Sequence, residues 1–116
     1  MGGADAEAFQ RMVMDLPEVE EREHANWVSL KVRGKGFCYL AQDGQEVLLK
    51  ATREEQEALV AENPAAYEVA YTSGRFGWVK VRLAEVPVDE LEELVVEAWR
   101  LSAPKRLAVA YLAGRG

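Results

Sequence analysis

The 116-residue chain holds one cysteine, Cys38, and one histidine, His24. A lone cysteine cannot close a disulfide within the chain, and one thiol with one imidazole cannot furnish the four ligands of a structural zinc site. No phosphate-binding glycine loop or dinucleotide fingerprint occurs, and no separated pair of carboxylates stands in an apolar setting. The opening MGGADAEAFQRM has neither a basic segment nor an apolar run, so no secretion signal is predicted. The longest uncharged run, residues 107–114, falls far short of the roughly 20 residues that span a bilayer. Positive charge is the scarcer sign overall, 14 Lys and Arg against 20 Asp and Glu, a net −6. What is present is globular: 49% hydrophobic and 29% charged residues, enough apolar surface for one core and too much for a disordered tail. The expectation is one cytoplasmic domain over residues 1–116, with no cofactor, metal or membrane segment.

Periodicity supplies the elements. Residues 4–16 place Ala8, Phe9, Met12, Val13 and Leu16 at helical spacing, and Pro17 ends the run. The acidic residues 18–23 read as a connection or a ragged edge strand. From Asn26 the period becomes two, with Val28, Leu30 and Val32 alternating with Ser29, Lys31 and Arg33. Gly34, Lys35 and Gly36 make a turn into a strand over residues 37–41. Asp43-Gly44 predicts a type I′ hairpin into residues 46–50. Thr52 and Glu55 have the spacing of a capping box, starting a helix that stops before Asn63-Pro64. Strands follow over 67–71 and 77–83, then helices over 88–101 and 105–111. The predicted order is α-β-β-β-α-β-β-α(-α): an α+β two-layer sandwich with a five-stranded, mostly antiparallel sheet and its helices on one face.

Charge divides between the layers. Residues 71–83 contain Arg75, Lys80 and Arg82 and no acid, whereas residues 85–97 contain Glu85, Asp89, Glu90, Glu92, Glu93 and Glu97 and no base. If Val28, Leu30, Val32, Val79, Val81 and Leu83 face the core, then Lys31, Arg33, Trp78, Lys80 and Arg82 share the uncovered face. Basic side chains can sit on such a face only to keep it solvated. A face with so few acids also suits docking to a phosphate backbone, with the acidic helices turned away. The hairpin tips at residues 42–45 and 72–75 would then project as wings.

The stretches VSLKVRGKGFCYL, EVLLK, PAAYEVAYTSGRFGWVKV and WRLSAPKRLAVAY resemble, in order, the MmcQ/YjbR family of small bacterial proteins. The resemblance rests most on Gly74-Arg75-Phe76-Gly77-Trp78-Val79 and on Gly34-Lys35 before Phe37. It implies a compact sandwich of this order and DNA binding through a double-wing arrangement. It carries over Lys35 from the Gly-Lys motif, and Arg75 and Trp78 from the Gly-Arg-x-Gly-Trp motif. One departure is that Ala25-Asn26-Trp27-Val28 lacks the glycine and proline of the Trp-Gly-x-Pro-like segment common before the first strand.

The expected function is therefore non-enzymatic DNA binding, with Lys31, Arg33, Lys35, Arg75, Lys80 and Arg82 on phosphates and Trp78 in apolar or stacking contact. The rival is a protein-interaction module whose sheet pairs with a second copy or captures an acidic segment. Trp78 can instead shield the sheet by packing on lysine stems. Cys38 reads as a buried thiol and His24 as a surface residue, although the two together would suggest a nucleophile and its base. Trp27, Tyr67 and Trp99 read as core aromatics, or as the lining of a small-ligand site between helices and sheet.

Overall fold

The computed structural model describes residues 3–115; residues 1, 2 and 116 of the expected domain lie outside them. The chain runs α1 (Ala6–Met14), β1 (Val19–Glu23), β2 (Trp27–Val32), β3 (Lys35–Ala41), β4 (Glu46–Thr52), α2 (Arg53–Glu62), β5 (Tyr67–Ser73), β6 (Phe76–Arg82), a 3-10 turn (Leu83–Glu85), α3 (Val88–Ser102) and α4 (Lys105–Arg115). The sheet has six antiparallel strands in the order β1-β2-β3-β4-β6-β5, one more than the sequence predicts. The addition is β1. Its four exposed residues Glu20, Glu21, Arg22 and Glu23 hide the period-two signal, because an edge strand with little to bury need not alternate.

Local chemistry sets the element ends. Asp5 accepts the Ala8 amide at 2.8 Å to start α1, and Thr52 accepts the Glu55 amide at 3.1 Å to start α2. The type I′ geometry expected at Asp43-Gly44 occurs instead at Arg33-Gly34, where φ is 51° and 81°. There Val32 pairs with Lys35, so the turn has two central residues and Arg33 must enter the left-handed region. At Asp43-Gly44 only the glycine takes positive φ, and Asp43 accepts the Gln45 amide across a longer loop. Gly74 takes φ 59° at the first central position of the β5–β6 turn, the slot a type II′ turn reserves for glycine.

The helices cover one face. Trp99, Tyr67, Phe9, Phe37, Leu30, Leu83 and Leu91 are fully buried between them and the sheet. By the 25 cal/mol per Å² rule, side chains of this size each contribute about 1.5–3 kcal/mol. Two strands depart from strict alternation. Leu30 pairs with Cys38 while Lys31 pairs with Gly36, so β3 bulges at Phe37; Val69 pairs with Val79 while Tyr71 pairs with Trp78, so β5 bulges at Ala70.

Candidate functional site

Direction along the strands decides which turns can act together. The β2–β3 turn, the end of β4 and the β5–β6 turn all lie at one end of the sheet, since Lys35 follows Val32, Thr52 opposes Phe76, and Phe76 opposes Ser73. The β3–β4 loop lies at the other end. The two wings expected at residues 42–45 and 72–75 therefore point in opposite directions. The tip that accompanies Gly74-Arg75 is Arg33-Gly34.

Three cations meet at that shared end. Lys50 Nζ lies 4.2 Å from the centroid of the Phe76 ring, and the Arg75 guanidinium lies 5.1 Å from the same centroid. Above the Cys38–Leu49 pair β3 and β4 no longer pair, and Lys50 Nζ donates to Ser102 Oγ at 3.0 Å, at the end of α3. Partial burial lowers the pKa of Lys50, and the positive charges of Lys35 and Arg75 lower it further. None of the ion pairs among the described residues includes Lys35, Lys50 or Arg75.

The remaining predicted cations fare differently. Arg33 is held by Glu18 in a two-pronged ion pair, which raises the arginine pKa and lowers that of the carboxylate. Arg82 donates to Glu68 at 2.9 Å and to the Ala65 carbonyl at 2.9 Å. Lys31 and Lys80 form no ion pair among the described residues, yet each stands opposite a glutamate, Glu20 and Glu68. Glu46 stands opposite Arg82. The uniformly basic face expected from the sequence is therefore a checkerboard. Glu18 and strand β1 bring acids from a segment that reads as a connection or a ragged edge strand, and β4 and β5 add one each. Only the end of the sheet at Lys35, Lys50 and Arg75 keeps a concentration of one sign.

Trp78 lies on the open face but is only 7% exposed. It is covered by Tyr71, whose ring stacks on it at 5.7 Å and 15°, and by Tyr39 at 5.5 Å and 38°. It is the floor of an aromatic row, and the alternative of packing on lysine stems is replaced by packing between tyrosines. The surface of the row is Tyr71, 47% exposed, and beyond it Trp27, 43% exposed. Both tyrosines owe their face to the bulges. Gly36 and Tyr39 lie three residues apart on the same face, and a Cβ on Gly36 would collide with the Tyr39 hydroxyl. Glu68 and Tyr71 repeat the arrangement.

At the far end of the face a groove of about 500 Å³ is lined by Asn26, Trp27, Tyr39, Leu48, Glu46 and Lys80. Trp27 is steadied from behind by His24, whose ring stacks at 5.1 Å and whose Nε2 lies 3.1 Å from Ser29 Oγ. His24 thus belongs to the open face, while Cys38 is buried in the core with its thiol pushed well up by burial. No nucleophile and base come together there. The small-ligand lining of Trp27, Tyr67 and Trp99 is likewise dispersed. Tyr67 donates to Glu90 in the helical layer, Trp99 Nε1 donates to the Pro17 carbonyl, and Trp27 is on the opposite side of the sheet. Among the described residues no group of three His, Cys, Asp or Glu is placed to hold a metal ion, and no helix is long and apolar enough to cross a membrane.

The YjbR family model matches residues 14–101, which takes in every strand together with α2 and most of α3. The chain belongs to the YjbR family. The uncharacterized proteins Mb2600 of Mycobacterium bovis and Rv2570 of Mycobacterium tuberculosis are each 46% identical over 59 residues, 51% of this chain and 46% of theirs. The match thus spans about half the length of these curated relatives. The crystal structure of Deinococcus radiodurans protein DR2400, with family-model domain DUF419, superposes with a TM-score of 0.75 over 87% of this chain and 80% of that one. At 22% identity this similarity concerns the fold. In this YjbR chain the stretch Gly74-Arg75-Phe76-Gly77-Trp78 has separable tasks: a turn, a cation, a ring beneath two cations, a close helix approach and an aromatic floor.

Proposed function

We propose that the chain binds DNA without catalysing a reaction, seating phosphates on Lys35, Lys50 and Arg75 and extending along the open face past Lys80. One observation carries the reading. Three separate elements deliver cations to one end of the sheet, two of them onto the Phe76 ring, and none enters an ion pair among the described residues. Like charges so gathered repel one another, and an anion placed among them relieves the repulsion. Arg33 and Arg82 are committed to glutamates and position the backbone rather than the ligand.

Fluorescence anisotropy of labelled DNA over a salt series tests the reading. Three phosphate contacts on duplex give a slope near −2.7 in log K against log salt, about a fortyfold loss between 50 and 200 mM. Arg75→Glu and Lys35→Glu are expected to abolish binding at 100 mM salt. The absence of any binding at 50 mM salt, by duplex and single strand alike, refutes it. A second reading, pairing of β5 with another copy, is favoured by exposed Val69 and Tyr71 on that edge. Light scattering separates the two: a tight dimer with no DNA affinity selects the second.

A further inference from the structure

Resting on the DNA reading, we infer that the bound form is single-stranded DNA, with bases laid on Tyr71 and in the groove between Trp27 and Tyr39. Duplex recognition needs an element that can enter a groove. The exposed faces of α2 and α3 carry Glu54, Glu57, Glu62, Asp89, Glu92 and Glu93, which repel a phosphate backbone, and the cationic tips are two-residue turns within the sheet. An open sheet bearing exposed aromatics offers something else, a platform for unpaired bases.

The dimensions agree. The groove holds about 500 Å³ and is lined mainly by apolar side chains, with Trp27 held upright against His24. A base still paired in a duplex cannot enter it. Glu46 at its rim repels a phosphate, so the groove takes the base and the backbone keeps to the side of Lys80 and the cationic end. From Glu46 to Lys50 along β4 is about 14 Å at the usual strand rise, a span that a few nucleotides cover. Tyr71, stacked on Trp78, lies at the level of Lys50. One base on Tyr71 and another in the groove thus mark the two ends of the track.

The test compares a labelled 12-nucleotide mixed-pyrimidine strand with the duplex it forms with its complement, at 50 mM salt. The single strand is expected to bind at least tenfold more tightly and to quench tryptophan fluorescence. Trp27→Ala and Tyr71→Ala, both exposed sites, are each expected to weaken the strand complex about tenfold, the scale of one stacked base. Both variants should keep the thermal transition of the parent within a few degrees. Equal or tighter binding of the duplex, or no effect of either substitution on the strand complex, overturns this inference and leaves the DNA reading in place. Failure of both probes to bind overturns the DNA reading itself.

Discussion

Gln56 is the side chain whose replacement should disturb this molecule most for its size. It is buried in the middle of α2, and its amide donates to the Trp78 carbonyl at 2.8 Å and to the Tyr71 carbonyl at 3.1 Å. These acceptors flank the β5 bulge, where the ladder is disrupted and cannot serve them fully. Gln56→Leu keeps the volume and the helix propensity and removes both donors. The Trp78 bond is buried, and losing it costs about 1–3 kcal/mol; the Tyr71 bond is partly buried, so water can replace much of it. The sum is about 2 kcal/mol, or roughly an 8 °C fall in Tm for a domain of this size. Gly77 is the other half of the fit. A Cβ there would lie 2.7 Å from Gln56 Cδ and 2.8 Å from Gln56 Cβ, and the latter cannot swing away without moving the helix. Gly77→Ala should therefore cost about 1–3 kcal/mol by overpacking. Because Gln56→Gly removes every Gln56 atom that the new Cβ would meet, the double variant Gln56→Gly/Gly77→Ala should lose at least 0.5 kcal/mol less than the two single changes added together. Urea denaturation followed by circular dichroism measures all of these. Full additivity, or a Gln56→Leu protein as stable as the parent, refutes the reasoning.

Arg33→Ala should change DNA affinity less than twofold, because that guanidinium is occupied by Glu18; anisotropy at fixed salt checks it, and a tenfold loss would return Arg33 to the interface. Cys38, buried with its thiol pKa raised, should react with a thiol reagent only as fast as the protein unfolds, so native-state labelling at the rate of a free peptide contradicts its placement. Burial, and then the hydrogen bond to Glu90, raise the Tyr67 phenol well above its ordinary range. The unfolded chain releases that proton near pH 10 while the folded chain retains it, so this contribution is complete below pH 10 and is lost as pH rises further. Tyr67→Phe should flatten the fall in stability between pH 10 and 12, and an unchanged alkaline limb would count against the assignment.

Where burial was regular, the sequence was sufficient. Val79 and Val81 against Lys80 and Arg82, or Leu91, Val95, Ala98 and Trp99 along α3, show their inner face by spacing alone. Thr52 capping α2 was equally plain, because the cap is chemistry between residues three apart. What spacing could not carry is pairing at a distance. Glu18 lies fifteen residues from Arg33 and Glu68 fourteen from Arg82, so the neutralisation of two predicted contacts is invisible along the chain. Lys50 is absent from the contacts that the sequence predicts, because its neighbours Lys35 and Arg75 reach it through strand direction. Phe76, lying beneath two cations, gives no signal of that role beyond standing next to Arg75.

The bulges connect these failures to the site. With strict alternation from Gly36, Tyr39 would turn into the core and Cys38 would face outward; with strict alternation from Glu68, Tyr71 would do the same. In each strand one extra residue, Phe37 or Ala70, reverses the parity, and the two tyrosines emerge on either side of Trp78. The cost is a broken ladder in both places, and in β5 the buried amide of Gln56 repairs it from the helical layer. A sheet that needed only solubility on its outer face has no use for this, since serine, threonine or lysine in register would suffice. Irregularity retained at an energetic cost, compensated from another element, and spent on exposing aromatic rings beside unpaired cations is how functional surfaces depart from the rules that otherwise specify a fold.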